Sequence, residues 1–160
     1  MFCGLSVRRG LFKLDQPVIF GVVYIPPEYT KYSSDEAFNE IQKEYLSLLN
    51  ISKYICRVGD FNARTSNCDD CIILDDNDHN NNTISDNVDN YTEVLESWSL
   101  LVERSSTDMI RNRYGNMLLE FCKGNSLFIV NGRVGKDKNI GRFTCRNASV
   151  VDYCIIVHIC

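Results

Sequence analysis

The sequence predicts an α/β fold, on three observations. Val18 to Ile25, Tyr54 to Val58, Ser126 to Val130 and Val150 to Val157 are short, nearly continuous apolar runs, as in strands buried within a sheet. Phe38 to Leu49 and Tyr114 to Cys122 instead place apolar residues at three- and four-residue steps, the period of a helix with one buried stripe. With 160 residues the chain is long enough for one domain with a sizeable core.

In chain order, Leu5-Ser6-Val7 reads as a short edge strand and Arg8-Arg9-Gly10 as a turn. The β-branched run from Val18 to Ile25 is too short for a helix, and Pro26-Pro27 ends it. Tyr24 near its end has an ordinary reading as packing with a satisfied hydroxyl. Ser33 and Glu36 stand at capping-box spacing. They predict a helix that carries Phe38, Ile41, Tyr45, Leu48 and Leu49 to about Asn50. In the next strand Arg57 interrupts the apolar pattern and needs a partner if that strand is central.

Asn67 to Asn90 is rich in Asp and Asn and reads as a surface loop or flexible insert. Cys68-Asp69-Asp70-Cys71 has the spacing of half a zinc site, but no second Cys/His pair follows at finger spacing. Asp78, Asn80, Asn82 and Asp89 echo a calcium loop, with Thr83 where a glycine is needed. His79 in the same tract reads as a solvated side chain. Val94, Leu95 and Trp98 give Tyr91 to Val102 a weak helical pattern. Tyr114 to Cys122 is the next helix, with Gly124 where a left-handed C-cap belongs.

After the strand at Ser126 to Val130, a hairpin-like connection runs from Asn131 to Arg142. It carries Arg133, Lys136, Lys138 and Arg142 against a single Asp137, the densest basic cluster in the chain. It reads either as a solvated turn or as a loop that touches nucleic-acid phosphates. Phe143-Thr144-Cys145 and Val150 to Val157 are the last expected strands. Asp152 within the latter needs a reason to exist, since an unpaired buried carboxylate is costly.

Chemistry concentrates at Ile51 to Arg64. The apolar run there stops at Gly59-Asp60-Phe61-Asn62, presenting a carboxylate and a carboxamide. Side chains alternate along extended backbone, so Asp60 and Asn62 are expected to point the same way. An acid that holds a water beside an amide that orients it is a plausible hydrolytic pair. The bland alternative is an Asp and an Asn capping a turn.

A net charge of −4 argues against a strong sequence-independent grip on DNA or RNA by the whole domain. Of the eight cysteines, Cys56, Cys122 and Cys154 sit in apolar runs, where cysteine behaves as a small hydrophobe. Met1 to Lys13 lacks a continuous apolar core of signal-peptide type, and no run reaches transmembrane length. An intracellular, reducing compartment is expected, the nucleus included, with no membrane partner.

These segments resemble the endonuclease/exonuclease/phosphatase superfamily, in the form carried by endonucleases of non-LTR retrotransposons. The resemblance rests on Gly59-Asp60-Phe61-Asn62-Ala63-Arg64, Val23-Tyr24-Ile25-Pro26-Pro27 and Ser149-Val150-Val151-Asp152-Tyr153, with Arg104 to Asp108 and Asn112 to Gly115 between them. It implies a DNase I-like two-sheet β-sandwich flanked by helices. It also implies hydrolysis of phosphodiester bonds in nucleic acid, DNA foremost, with Mg2+. By resemblance Asp60 orients or deprotonates the attacking water and Asn62 fixes that water or a phosphate oxygen. Tyr24 lies against the scissile phosphate, and Asp152 supports a catalytic histidine, a part that His158 on the same strand does not fill. The family's metal-binding glutamate lies upstream of Met1 and its Asp-His pair downstream of Cys160. The expectation is therefore a partial domain, truncated at both ends, with weak or absent turnover. The alternatives are a catalytically inactive nucleic-acid-binding remnant and a phosphatase of the same superfamily.

Overall fold

The computed structural model describes residues 3–7, 14–34, 36–72 and 91–157. The strands are β1 (Cys3–Val7), β2 (Val18–Tyr24), β3 (Ile55–Asp60), β4 (Leu127–Ile129) and β5 (Asp152–Val157). The helices are α1 (Ala37–Leu49), α2 (Tyr91–Ser97) and α3 (Arg113–Gly124). One mixed five-stranded sheet has the order β1-β2-β3-β5-β4, in which β2 and β3 run parallel and the other pairs antiparallel. The α/β class is therefore what the alternating apolar periods predict. Among the described residues this is a single sheet.

Its two faces differ. Ile19, Val23, Ile55, Tyr153, Ile155 and Val157 point to the face covered by α1 and α3, and pack with Phe38, Ile41, Tyr45, Tyr114, Leu118 and Phe121 in the main core. A smaller cluster under α2 joins Leu95, Phe128, Trp98 and Ile156 on the opposite face, next to β4 and β5. The rest of that second face is open along β2, where Val22 and Tyr24 are half-exposed.

Arg57 points into the main core and is 1% exposed. Its Nη2 donates to Ile41 O, its Nη1 stands 3.7 Å from Glu44 Oε2, and its guanidinium lies against the Tyr45 ring. Burial holds the Arg57 pKa below, and the Glu44 pKa above, their ordinary values, with each partner opposing the shift.

Several sequence expectations are corrected. α1 begins at Ala37, and its N-cap Glu36 makes no side-chain capping bond, so the Ser33–Glu36 box does not form. Ser33 Oγ turns back to Thr30 O instead. Gly124 ends α3 without left-handed backbone; Ser126, two residues on, takes that conformation at φ 52°. Phe143–Cys145 is not a strand, since only an isolated bridge joins Cys145 to Ser149. The Asn131–Arg142 connection is a series of turns around a 3-10 turn at Gly135–Asp137, not a hairpin. At the start of the Asp/Asn-rich segment Asn67 and Asp69 are exposed while Asp70 and Cys71 are buried, and residues 73–90 of it lie outside the described residues. The calcium-like Asp78, Asn80, Asn82 and Asp89, the solvated His79 and His158 lie outside the described residues.

Candidate active site at the strand ends

Strand register brings Tyr24, Asp60 and Asp152 together. Tyr24 of β2 pairs with Asp60 of β3, and Asp60 pairs with Asp152 of β5. Paired residues on neighbouring strands project to the same face, so the three side chains form a lateral row across three adjacent strands. The row lies on the open face, with Asp60 and Asp152 partly exposed and Tyr24 58% exposed.

Gly59 makes this row possible. Its φ is +146°, and a Cβ there would fall 2.0 Å from Val23 O. Only glycine lets β2 and β3 approach so closely at the residue before Asp60.

Beyond Asp60 the chain turns sharply. Asn62 adopts left-handed backbone at φ 48°, so the alternation expected to align it with Asp60 does not operate. Asn62 N donates to Asp60 Oδ1 at 2.8 Å, the turn-capping bond of the bland reading. The Asn62 side chain donates through Nδ2 to Ile25 O, and Asn62 O accepts from Asn112 Nδ2. Asn62 is thus held from three sides against the end of β2 and the start of α3.

The turn is anchored underneath. Phe61 and Ala63 are fully buried, and the Tyr153 hydroxyl lies 2.9 Å from both Ala63 O and Val150 O. Arg64 pairs through two nitrogens with Asp108 Oδ1 and Oδ2, at 2.7 and 2.8 Å. Asp108 also accepts from the backbone N–H groups of Val150 and Ile110. Burial works to raise the Asp108 pKa, but the Arg64 pair and these two N–H groups bring it below the ordinary value.

Asp60 is shifted the other way. Burial raises its pKa and the neighbouring Asp152 raises it further, while the Asn62 N–H opposes both. No hydrogen bond to the Asp152 carboxylate is made among the described residues, although its backbone is well held. Asn131 Nδ2 donates to Asp152 O, and Asn131 Oδ1 accepts from Cys154 N. Thr144 Oγ1 accepts from the N–H groups of Val151 and Asp152. Asn131 and Thr144 thus tie both ends of the basic connection to the start of β5.

Within that connection Asp137 organises the backbone, accepting from Gly132 N and Arg142 N at 2.8 Å each. Lys136, Lys138 and Arg142 remain exposed. Arg133 does not, which removes it from the expected phosphate-binding cluster. It is 1% exposed and forms a two-point ion pair with Asp70 at 2.6 and 2.8 Å. Its remaining N–H groups donate to the carbonyls of Leu101, Ile129 and Val102, so the buried charge is paired and hydrogen-bonded throughout.

The half zinc site also fails to assemble. Cys71 is buried beside Phe128, Cys68 Sγ accepts from Arg111 Nη1, and no metal-ligating group of three exists among the described residues. Asn112, Asn131, Thr144 and Tyr153 were not singled out from the sequence as positioning residues. Asn112 alone carried a readable signal, as an Asn immediately before a helical pattern, and it caps α3 through Gly115 N. Comparison of the chain with protein-family models, curated proteins and solved structures gives no match.

Proposed function

We propose that the strand-end row is the remnant or core of a phosphodiesterase site, of the endonuclease type found in non-LTR retrotransposons. The observation that carries this reading is the register of Tyr24, Asp60 and Asp152 on adjacent strands. Three of the residues quoted for the resemblance thus lie in one row although they are far apart in sequence. A DNase I-like sandwich would set a second layer on the open face, which Phe20, Val22 and Val58 make apolar.

The donor set suits a hard divalent cation. Asp60 and Asp152 are neighbouring carboxylates, and their repulsion contributes to the raised Asp60 pKa. Mg2+ accepts one or two carboxylates together with waters and phosphate oxygens, and when bound it would neutralise charge on a phosphate. No third acidic, imidazole or thiol group completes a cluster among the described residues, so this reading calls for weak cation affinity and slow turnover. Asp60, with its raised pKa, would hold the attacking water. Asn62 would fix the geometry of the turn, and Tyr24 would lie along the phosphate.

The test is nicking of supercoiled plasmid DNA with Mg2+. Slow, metal-dependent nicking that falls roughly a hundredfold in Asp60→Ala is expected, the scale of losing one group that acts in the transition state. Nicking indifferent to Asp60→Ala would overturn the assignment.

A second reading, a nucleic-acid-binding module without turnover, is favoured by exposed Lys136, Lys138 and Arg142 on a loop tied to β5. It predicts salt-dependent DNA retention without nicking, lost in a Lys136→Ala/Lys138→Ala double variant.

A further inference from the structure

A pair of thiols stands on the same open sheet face, behind the carboxylate row. Cys56 of β3 and Cys154 of β5 are diagonal neighbours across an antiparallel pair, since Cys56 registers with Ile156 and Val58 with Cys154. Their sulfur atoms are 3.7 Å apart. Both are partly exposed, whereas Cys71 and Cys122 are buried. Cys56 also lines an apolar hollow of about 610 Å3 with Val18, Phe20, Trp98 and Ile156, so open space borders the pair.

We infer that Cys56 and Cys154 are a cross-strand dithiol that closes reversibly to a disulfide when it meets a peroxide. A metal is the weaker occupant for this pair, because structural zinc takes four ligands and no third Cys, His, Asp or Glu joins them among the described residues. Oxidation needs only the two sulfurs and an oxidant. A disulfide bond is about 2.0 Å long, so the sulfurs close from 3.7 Å by side-chain rotation together with a shift of the two hydrogen-bonded strands.

The protonation pattern supports an order of events. The contact with Cys154 and burial raise the Cys56 pKa well above the ordinary thiol value, whereas the Cys56 contact lowers that of Cys154. Cys154 is then the readier of the two to ionise, and the thiolate form is the nucleophile. It attacks a peroxide oxygen, breaks the O–O bond and becomes a sulfenic acid, and the released hydroxide takes a proton to become water. The Cys56 thiol attacks that sulfur, the S–S bond forms, and the sulfenic oxygen leaves as water with the Cys56 proton. Two thiols lose two electrons and two protons in all, and one hydrogen peroxide becomes two waters. The new bond would clamp β3 to β5 close behind Asp60 and Asp152. This inference stands apart from the phosphodiesterase reading.

The experiment exposes the full chain, natively folded, to hydrogen peroxide, then alkylates free thiols, digests and analyses the peptides by mass spectrometry. The expected result is a linked pair of peptides containing Cys56 and Cys154, lighter by two hydrogens than their sum and separated again by dithiothreitol. Cys56→Ser and Cys154→Ser should each abolish that species. Recovery of both residues as alkylated thiols, linkage of either to a different cysteine, or linkage only in denatured protein would overturn the inference.

Discussion

Two acidic constellations in this molecule use the same residue type in opposite ways. Asp70 is buried with both oxygens engaged: Oδ1 takes Arg133 Nη2, and Oδ2 takes Arg133 Nη1 and Ile129 N. Arg133 completes its own set with the carbonyls of Leu101, Ile129 and Val102. Asp60 accepts one backbone N–H, and Asp152 stands beside it without a side-chain bond among the described residues. The difference teaches where chemistry can occur. A buried carboxylate bonded through both oxygens is closed to a ligand, whereas the strand-end pair keeps spare acceptor capacity facing the open side of the sheet.

The sharpest break of this contrast is removal of one half of the buried pair. Arg133→Met leaves Asp70 buried and uncompensated, and should cost about 3–5 kcal/mol of unfolding free energy in urea. Replacing both, as Asp70→Leu/Arg133→Met, should recover much of that loss, because the desolvation cost disappears with the charges. Lys136→Ala on the same connection should change stability by less than about 0.5 kcal/mol. If Arg133→Met proves equally neutral, Arg133 is not the internal tie its geometry indicates.

The frame of the row is the next point of attack. Gly59→Ala places a methyl group against Val23 O and forces a positive φ on a residue with a side chain. It should destabilise by about 1–3 kcal/mol, and more if β2 and β3 must separate. Faster amide exchange at Ile25 N, which donates to Asp60 O, would report separation at the row itself.

Asp108 extends the comparison to pH. It resembles Asp70 in being buried and fully bonded, and its pKa is depressed in the folded chain. A depressed carboxylate contributes stability that is present above its unfolded pKa and is lost as pH falls through the folded value. Stability should therefore decline below about pH 4, the ordinary carboxylate range. Asp108→Asn should flatten that decline while costing on the order of 1–3 kcal/mol at neutral pH, as a buried Arg64 partner is lost. Denaturant midpoints measured from pH 7 to pH 3 would separate the two effects.

What was legible in the sequence follows the same division. Strand and helix periods placed β2, β3, α1, α3 and β5 because their apolar patterns are set by one buried face. The convergence of Tyr24, Asp60 and Asp152 was legible only through resemblance, since register between strands so distant in sequence leaves no local signal. Asp70 and Arg133 were misread for a physical reason: charges within a polar tract or a basic loop look solvated, and only the fold reveals that they neutralise each other. Asn62 shows a third kind of miss. Its left-handed turn breaks the strand alternation two residues after the strand ends, and Asn is among the side chains that tolerate that conformation.

The smallest expected effect tests the row most directly. Asp60 has a raised pKa, so its contribution to stability has the opposite sign to that of Asp108: it favours the fold at low pH and fades as pH rises through the folded value. Part of that shift comes from Asp152 on the neighbouring strand. Asp152→Asn removes the charge and keeps the shape, so the Asp60 titration followed by carboxyl NMR should move down towards the ordinary value, though burial keeps it above. Unfolding free energy should change by less than about 0.5 kcal/mol, since the Asp152 side chain is partly exposed. An unmoved Asp60 titration would mean that the two carboxylates do not feel each other. The proposed site for a cation or a phosphate would then lose its electrostatic basis, whatever the backbone register shows.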